Sequence, residues 1–538
     1  MTSQPNERVF RGRPAAPGFA VGRAWRLAEG GGAVARVAGP PEAEQAAFDR
    51  GLRLAAEQLT QLSAASDGLG ADILEFQLAL LDDDDLIDPV RKRIAAGVAA
   101  DEAWIARLDE EIDGYLAAND EHMAARAADL RDVRDRVLRA IAGSDEVATI
   151  PDGSILIADD LTPSTFLGLD WSRLGGAVLT GGSATSHVSI LARSRGVPML
   201  VEVQPEPDAA CGEPIAIDAT GGVLFVCPGA ATLAGLEASR AADARIAAEA
   251  LAVERLPAVT ADGRSIKVLV NVNAPGDLDG LSPAICDGIG LTRTEFLFAH
   301  GAPDEATQLA VYGRILAWAG GRPVTIRTLD AGGDKPVPGI TIDGESNPFL
   351  GTRGLRLSLK RPHIFRVQLK ALARAAAAGP LRIMVPMVTV PEEMEAARRL
   401  LDETVDELQR QGIAHARPPL GMMVEVPAAA LMAEQFATDF YSIGSNDLGQ
   451  YVTAVARDIS GLSHLTREPN PTVLELIGRT VAAGRRRGVP VSLCGDMASR
   501  PELTGALLDT GLDTLSVAPA SVGRVKLAVA RAVSGPRP

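Results

Sequence analysis

Eight short apolar runs recur through residues 263–538, and their rhythm constrains this chain more than any other feature. The runs are KVLVNVN, GIGLTRT, PVTIRTLD, LRIMVPMV, LGMMVEVP, FYSIGSND, VPVSLCGD and TLSVAP, with helical patterns such as FRVQLKALARAAAA and EMEAARRLLDETVDELQRQ in most of the gaps. Eight strands alternating with helices predict a (β/α)8 TIM barrel, a fold that holds its chemistry at the carboxyl ends of the strands. Reading each run to its end gives Arg293, Arg327, Glu425, Asn446 with Asp447, and Cys494. Polar groups that close otherwise apolar strands are the first candidates for a site.

The rest of the chain has another character. At 538 residues the sequence is too long for one core and predicts roughly three to four domains. From Pro41 to Gly143 it is polar and Ala-rich, and FDRGLRLAAEQLTQL and ARAADLRDVRDRVLRAIAG place apolar residues at helical spacing. This predicts a helical bundle over 41–143. RPAAPGFAVGRAWRL before it reads as a short strand pair, and SILIADDL, GAVLTGG, PMLVEV and PIAIDA after it as further strands. The bundle is therefore expected as an insert in a small α/β domain made of residues 1–40 and 144–228. Residues 229–262, almost free of proline until Pro257, predict a helical linker ahead of the barrel at 263–538.

Net charge is −16, which disfavours nucleic acid and anionic membrane as partners. Any anionic ligand must be held by a local cluster of Arg or Lys. The charge is unevenly placed: residues 42–143 hold 11 Lys and Arg against 23 Asp and Glu, a net −12. The N-terminus MTSQPNERVFRGR has no apolar leader segment and no apolar run is long enough to span a bilayer, so a cytoplasmic protein is expected. Cys211, Cys227, Cys286 and Cys494 are far apart and form no CxxC, which speaks against a disulfide or zinc framework.

LTGGSATSHVSILARSRGVPMLV reads as strand, Gly-rich turn, helix and strand, with Ser186 as the helix cap, Ile190 and Leu191 toward the sheet and Gly196 as the stop. His187 then lies in the first turn, where free backbone N–H groups and the helix dipole would stabilise a phosphoryl group on the imidazole. A histidine so placed is more often an ordinary residue near a cap. Its company changes that reading. The GG…TSHVSILAR stretch resembles the phosphohistidine segment shared by enzyme I of the phosphoenolpyruvate-dependent phosphotransferase system, pyruvate phosphate dikinase and phosphoenolpyruvate synthase. GIGLTRTEFLF, RTLDAGGDK, NPFLGTRGLR, GMMVEVPAAAL, SIGSNDLGQYVTAVAR and LCGDMA are similar to that family's barrel motifs, in the same order. The helical segment before the histidine resembles the enzyme I branch, whereas the dikinase and the synthase carry a nucleotide-binding region there.

The resemblance implies a mechanism. Phosphoenolpyruvate would be bound by Arg293, Arg327, Asn446, Asp447 and Arg457, with Arg353 a further candidate, and Mg2+ by Glu425 and Asp447. His187 would take the phosphoryl group and Cys494 would protonate the enolate to pyruvate. The phosphoryl would pass to a histidine of the carrier protein HPr, docked on the acidic bundle, as the first step of sugar uptake; the linker would allow reorientation and the barrel would form a homodimer. A regulatory phosphorelay serving a non-sugar carrier is the alternative. Two departures from the family pattern stand out: Ser183 and Ala184 occupy a stretch that usually has one residue, and Glu202 stands where a Gly is usual.

Overall fold

The computed structural model describes residues 7–27, 38–66, 69–117, 121–143, 150–184, 186–299, 301–333, 337–342, 344–456, 465–466 and 468–533. It divides into two compact units, residues 1–243 and 244–538.

The first unit is a small closed barrel with helices inserted in it. Its elements begin with β1 (Arg8–Ala16) and β2 (Phe19–Arg26), followed by α1 (Pro41–Ala64), α2 (Leu69–Leu80), α3 (Asp84–Ala95), α4 (Ala100–Ala117) and α5 (Glu121–Ala142). Then come β3 (Ser154–Ala158), α6 (Pro163–Gly168), β4 (Gly176–Leu179), α7 (His187–Arg195), β5 (Met199–Gln204), β6 (Pro214–Asp218) and β7 (Val223–Val226). The strands close in the order β1-β5-β4-β3-β2-β6-β7. The expected pairing of the first two strands does not occur: β1 lies antiparallel to β5 and β7, and β2 pairs with β3 and β6. Each strand thereby gains two neighbours and the barrel has no open edge, which a simple hairpin would leave. The bundle helices and the α/β elements share one apolar core. Phe48, Leu59, Trp104 and Val137 of the bundle pack in the same cluster as Phe166 and Leu167 of α6 and Val188 and Leu191 of α7.

The second unit starts within α8 (Ala230–Val253). The helix stops well short of residue 262, and β8 (Ala258–Val259) instead pairs antiparallel with the first barrel strand. Just past the helix end, buried Lys526 donates to the carbonyls of Glu254 and Leu256 at 2.8 Å. All eight expected strands are present: β9 (Ser265–Val272), β10 (Ile289–Thr292), β11 (Val324–Arg327), β12 (Leu381–Val385), β13 (Leu420–Val424), β14 (Tyr441–Ile443), β15 (Val491–Leu493) and β16 (Thr514–Val517). They run parallel in chain order and close through β16–β9 and β9–β10. Helices α9 (Glu305–Ala319), α10 (Leu355–Lys360), α11 (Pro362–Ala375), α12 (Pro391–Arg410), α13 (Pro427–Leu431), α14 (Ser445–Thr453), α15 (Pro471–Arg487), α16 (Thr504–Asp509) and α17 (Val522–Arg531) complete the ring. Alternate strand residues such as Val268, Val270, Ile326, Ile383 and Met422 pack outward against the helices, so the other set points into the barrel. No helix among the described residues is long and apolar enough to cross a membrane.

Candidate active site

His187 opens α7 as the sequence pattern requires. Ser186 caps the helix, its Oγ accepting from the Ser189 N–H at 3.2 Å, and Gly196 ends it with φ of 65°. Val188, Leu191 and Ala192 are buried, whereas Ile190 is 38% exposed rather than turned to the sheet. The doubled Ser183–Ala184 step is put to use: the Ser183 carbonyl accepts from the Ser186 N–H at 3.2 Å and from the Ser189 hydroxyl at 2.6 Å. The imidazole is about a quarter exposed, and its Nδ1 lies 3.6 Å from Oδ1 of Asp129 on α5. That carboxylate is buried, and among the described residues its Oδ1 has no hydrogen bond, so the histidine is the group it faces. Nothing in the local sequence pointed to Asp129. The pair is created by packing the inserted bundle against α7.

The second cluster lies at the carboxyl ends of the barrel strands. Arg327 ends β11 and is buried; it meets Glu295 and Asp330, each at 2.9 Å. Arg353, 1% exposed, grips the same Asp330 through Nη2 at 3.0 Å, and its Nη1 approaches Asp447 at 3.5 Å and Tyr451 at 3.4 Å. Asp330 thus joins two guanidinium groups through one carboxylate oxygen, Oδ2. Burial alone would lower the Arg327 guanidinium, but Glu295, Asp330, Glu425 and Asp447 raise it. Both arginines therefore keep their charge where a neutral group would be the cheaper occupant.

Glu425 closes β13 and is 1% exposed, one carboxylate oxygen accepting from the Met387 N–H at 2.7 Å. Burial, then Asp447 and Asp330, push its carboxyl up to about 8, against the pull of Arg327 and Arg353. Asp447 lies in the first turn of α14, nearly buried. Asn446 beside it accepts from the Asp496 N–H at 2.8 Å. Cys494 follows β15 at 4% exposure, and burial raises its thiol to about 11 although a hydrogen bond with Ser442 lowers it. Arg293 follows β10, anchored by its backbone to Val272; its guanidinium has no hydrogen bond or ion pair among the described residues, and its charge reaches Cys494. Arg457 lies outside the described residues. The barrel thus brings together Arg293, Arg327, Glu425, Asn446, Asp447 and Cys494, and adds Arg353, Asp330, Glu295 and Tyr451, which were not assigned from strand ends.

The match to known proteins is now decisive. Residues 247–534, more than half of the chain, fit the model of the PEP-utilising enzyme, PEP-binding domain. The chain belongs to the PEP-utilising enzymes. The N-terminal model of this family matches residues 11–126 and its mobile-domain model residues 150–222. Among relatives, the phosphoenolpyruvate-protein phosphotransferase of Bacillus sp. (strain S) is 37% identical over 530 residues, covering 96% of this chain and 92% of its own. That of Haloferax volcanii is 40% identical over 474 residues, covering 86% and 82%. Among solved structures, the solution structure of an Enzyme I protein is 26% identical, covers 43% of this chain and 98% of its own, and gives a TM-score of 0.37.

In this member of the family the donor set suits a hard divalent ion. Glu425 and Asp447 are buried carboxylates crowded enough to push a proton onto Glu425, and a cation would relieve that crowding. Two carboxylates leave the remaining positions to water and substrate oxygens, the usual arrangement for Mg2+.

Proposed function

We propose that the protein is a phosphoenolpyruvate-protein phosphotransferase. It moves the phosphoryl group of phosphoenolpyruvate to His187, releases pyruvate, and passes the phosphoryl to a histidine of a small carrier protein of the HPr type. The observation that carries this reading is the arginine platform at the barrel mouth, where Arg327 and Arg353 are held charged around one buried Asp330 beside a protonated thiol. Planar, permanently charged forks of this kind match a ligand bearing both phosphate and carboxylate.

Arg293, Arg327, Arg353 and Asn446 bind and orient phosphoenolpyruvate, and Arg457 joins them by resemblance. Glu425 and Asp447 would hold Mg2+, which supplies neutralisation of phosphate charge and polarisation of the enolate oxygen. His187 attacks phosphorus in line as the P–O bond to the enolate oxygen breaks. With Nδ1 facing Asp129, Nε2 is the nitrogen left to attack. The arginines stabilise charge on the transferring group without having to reorganise, since their partners already fix them. Cys494 donates its proton to the enolate carbon, giving pyruvate.

The acidic bundle, net −12 over residues 42–143, suits a carrier with a basic face, and such docking weakens as salt is added. A homodimer through the barrel and a cytoplasmic location complete the reading. Incubation with 32P-phosphoenolpyruvate, Mg2+ and candidate carrier proteins tests it. Label is expected on the wild-type chain and then on a carrier, and none on His187→Ala. Labelling of His187→Ala to the wild-type level would refute the assignment.

A further inference from the structure

The two carboxylate oxygens of Glu425 are treated differently by the barrel mouth. Oε1 accepts from the Met387 N–H at 2.7 Å, and Oε2 accepts no hydrogen bond among the described residues. Met387, two residues past β12 and buried, aims that N–H from a left-handed backbone with φ of 58°. A residue with a side chain takes that conformation only where its surroundings force it, and such strain concentrates at functional sites. Here the loop carrying Arg353 supplies the force. The Leu355 N–H donates to the Pro386 carbonyl at 3.2 Å, and Gly354 passes so close that a Cβ on it would stand 2.8 Å from Cβ of Met387 and 2.9 Å from its Cγ. Oε1 is therefore pinned from one side.

Gly444 stands on the other side. Val424 and Ile443 are in register across β13 and β14, and the Gly444 N–H continues the ladder by donating to the Val424 carbonyl at 3.1 Å, which sets Gly444 beside Glu425. Its φ of −92° and ψ of 86° are open to residues with a side chain, so the backbone does not require a glycine here. The requirement is for space. A Cβ at position 444 would stand 3.0 Å from Oε2 of Glu425, 3.1 Å from Sδ of Met423 and 3.2 Å from Cβ of Glu425. All three are closer than the roughly 3.5–4.0 Å of ordinary contact, and the pinned carboxylate has no way to swing aside without giving up the Met387 N–H.

We propose that Gly444 is a positioning residue for the divalent ion: lacking a side chain, it keeps Oε2 of Glu425 open as the one oxygen that this carboxylate lends, while the strained Met387 N–H holds Oε1. This role rests on the reading of Glu425 and Asp447 as the Mg2+ ligands. Donation through a single oxygen suits Mg2+, which demands a near-octahedral shell and keeps several waters, whereas Ca2+ readily takes both oxygens of a carboxylate. Groups that orient a metal ligand change affinity by about ten- to a hundredfold when they are altered.

Mn2+ takes the same oxygen donors, and its binding to the full-length protein is read from the EPR signal of the free ion. Gly444→Ala is expected to weaken binding at least about tenfold, whereas Gly449→Ala on α14, where a Cβ meets nothing within 4 Å, keeps it within about twofold. Pairing Gly444→Ala with Met423→Val takes the sulfur out of the methyl's path and leaves Oε2 in it. The paired variant is expected to withstand urea at least as well as Gly444→Ala and to bind Mn2+ as weakly. Recovery of its binding to within about twofold of wild type overturns the role and marks a packing effect, and so does unchanged binding in Gly444→Ala. If Gly444→Ala alone does not fold, the paired variant decides by the same criterion. Glu425→Gln tests the underlying reading separately: loss of Mn2+ binding upholds the carboxylate as a ligand, and retention refutes it whatever the glycine variants do.

Discussion

The two clusters proposed as phosphoryl stations of this chain are built on opposite plans. At the barrel mouth, Arg327, Arg353, Asp330, Glu425 and Asp447 are buried and interlocked, and removing any one strands the charge of another. At α7 a single partly exposed imidazole sits on a helix terminus with one buried carboxylate behind it. The first plan suits a place where bonds are made and broken, since charge must already be aligned when it develops. The second suits a group that hands its cargo on, since it must be reached from outside. Rigidity is concentrated where the chemistry is hard, and exposure where delivery is needed.

The contrast can be tested by damage, from the severest to the mildest. Cys494→Ala should lower pyruvate formation by about a hundredfold or more, measured in a coupled pyruvate assay. The wild-type pH profile should also show no loss through the ordinary thiol range near 8.5. Because burial raises the Cys494 thiol to about 11, the neutral donor persists below that pH and activity attributable to it falls only as pH rises through it.

Asp330→Asn should destabilise the barrel by about 3–5 kcal/mol, since two buried guanidinium groups lose their shared counter-charge. His187→Ala should cost less, about 1–3 kcal/mol, since it leaves only the buried Asp129 carboxylate without its partner. Urea unfolding of the two variants makes the comparison, and equal losses would erase the distinction between the stations. Asp129→Ala should lower the rate of His187 labelling by about ten- to a hundredfold by letting the ring turn, with phosphoenolpyruvate affinity, read by calorimetry on the unlabelled protein, unchanged. A change in that affinity would contradict a role confined to the histidine.

The smallest effect concerns Glu202, which follows Val201 in β5 with φ of 53°. The left-handed conformation costs a non-glycine residue about 1–2 kcal/mol, and the ion pair that Glu202 makes with Arg13 at 3.1 Å returns only about 0.5 kcal/mol at this exposure. Glu202→Gly should therefore raise the melting temperature of the first unit by a few degrees, read by differential scanning calorimetry.

Which parts of this architecture could be read from sequence follows from how local each cause is. The eight barrel strands were legible because each is a short apolar run stopped by Gly, Pro or a polar residue, and the same stops exposed Arg327, Glu425 and Cys494. The β1 and β2 segments were recognisable as strands, but their partners lie up to about 200 residues away in β5, β6 and β7, and no local pattern encodes that closure. Asp330 escaped because it stands three residues beyond Arg327, past the strand end where the reading stopped. Asp129 escaped for a deeper reason: on its own helix it is one acid among many, Asp132 being buried as well, and only tertiary packing turns its Oδ1 toward His187. Ile190 shows the converse, an apolar residue that periodicity assigned to the core and the structure leaves to solvent.

The shared core of the first unit has a consequence for the inheritance of this design. Phe166, Leu167, Val188 and Leu191 of the α/β part are buried among Phe48, Leu59 and Trp104 of the inserted helices. The insert, on which the carrier is proposed to dock, is therefore no cassette that recombination can swap freely. A transplanted bundle must bring a matching face for α6 and α7, and an Asp129 in the right place, so substitutions accumulate on the outer helix surfaces while the buried seam stays fixed.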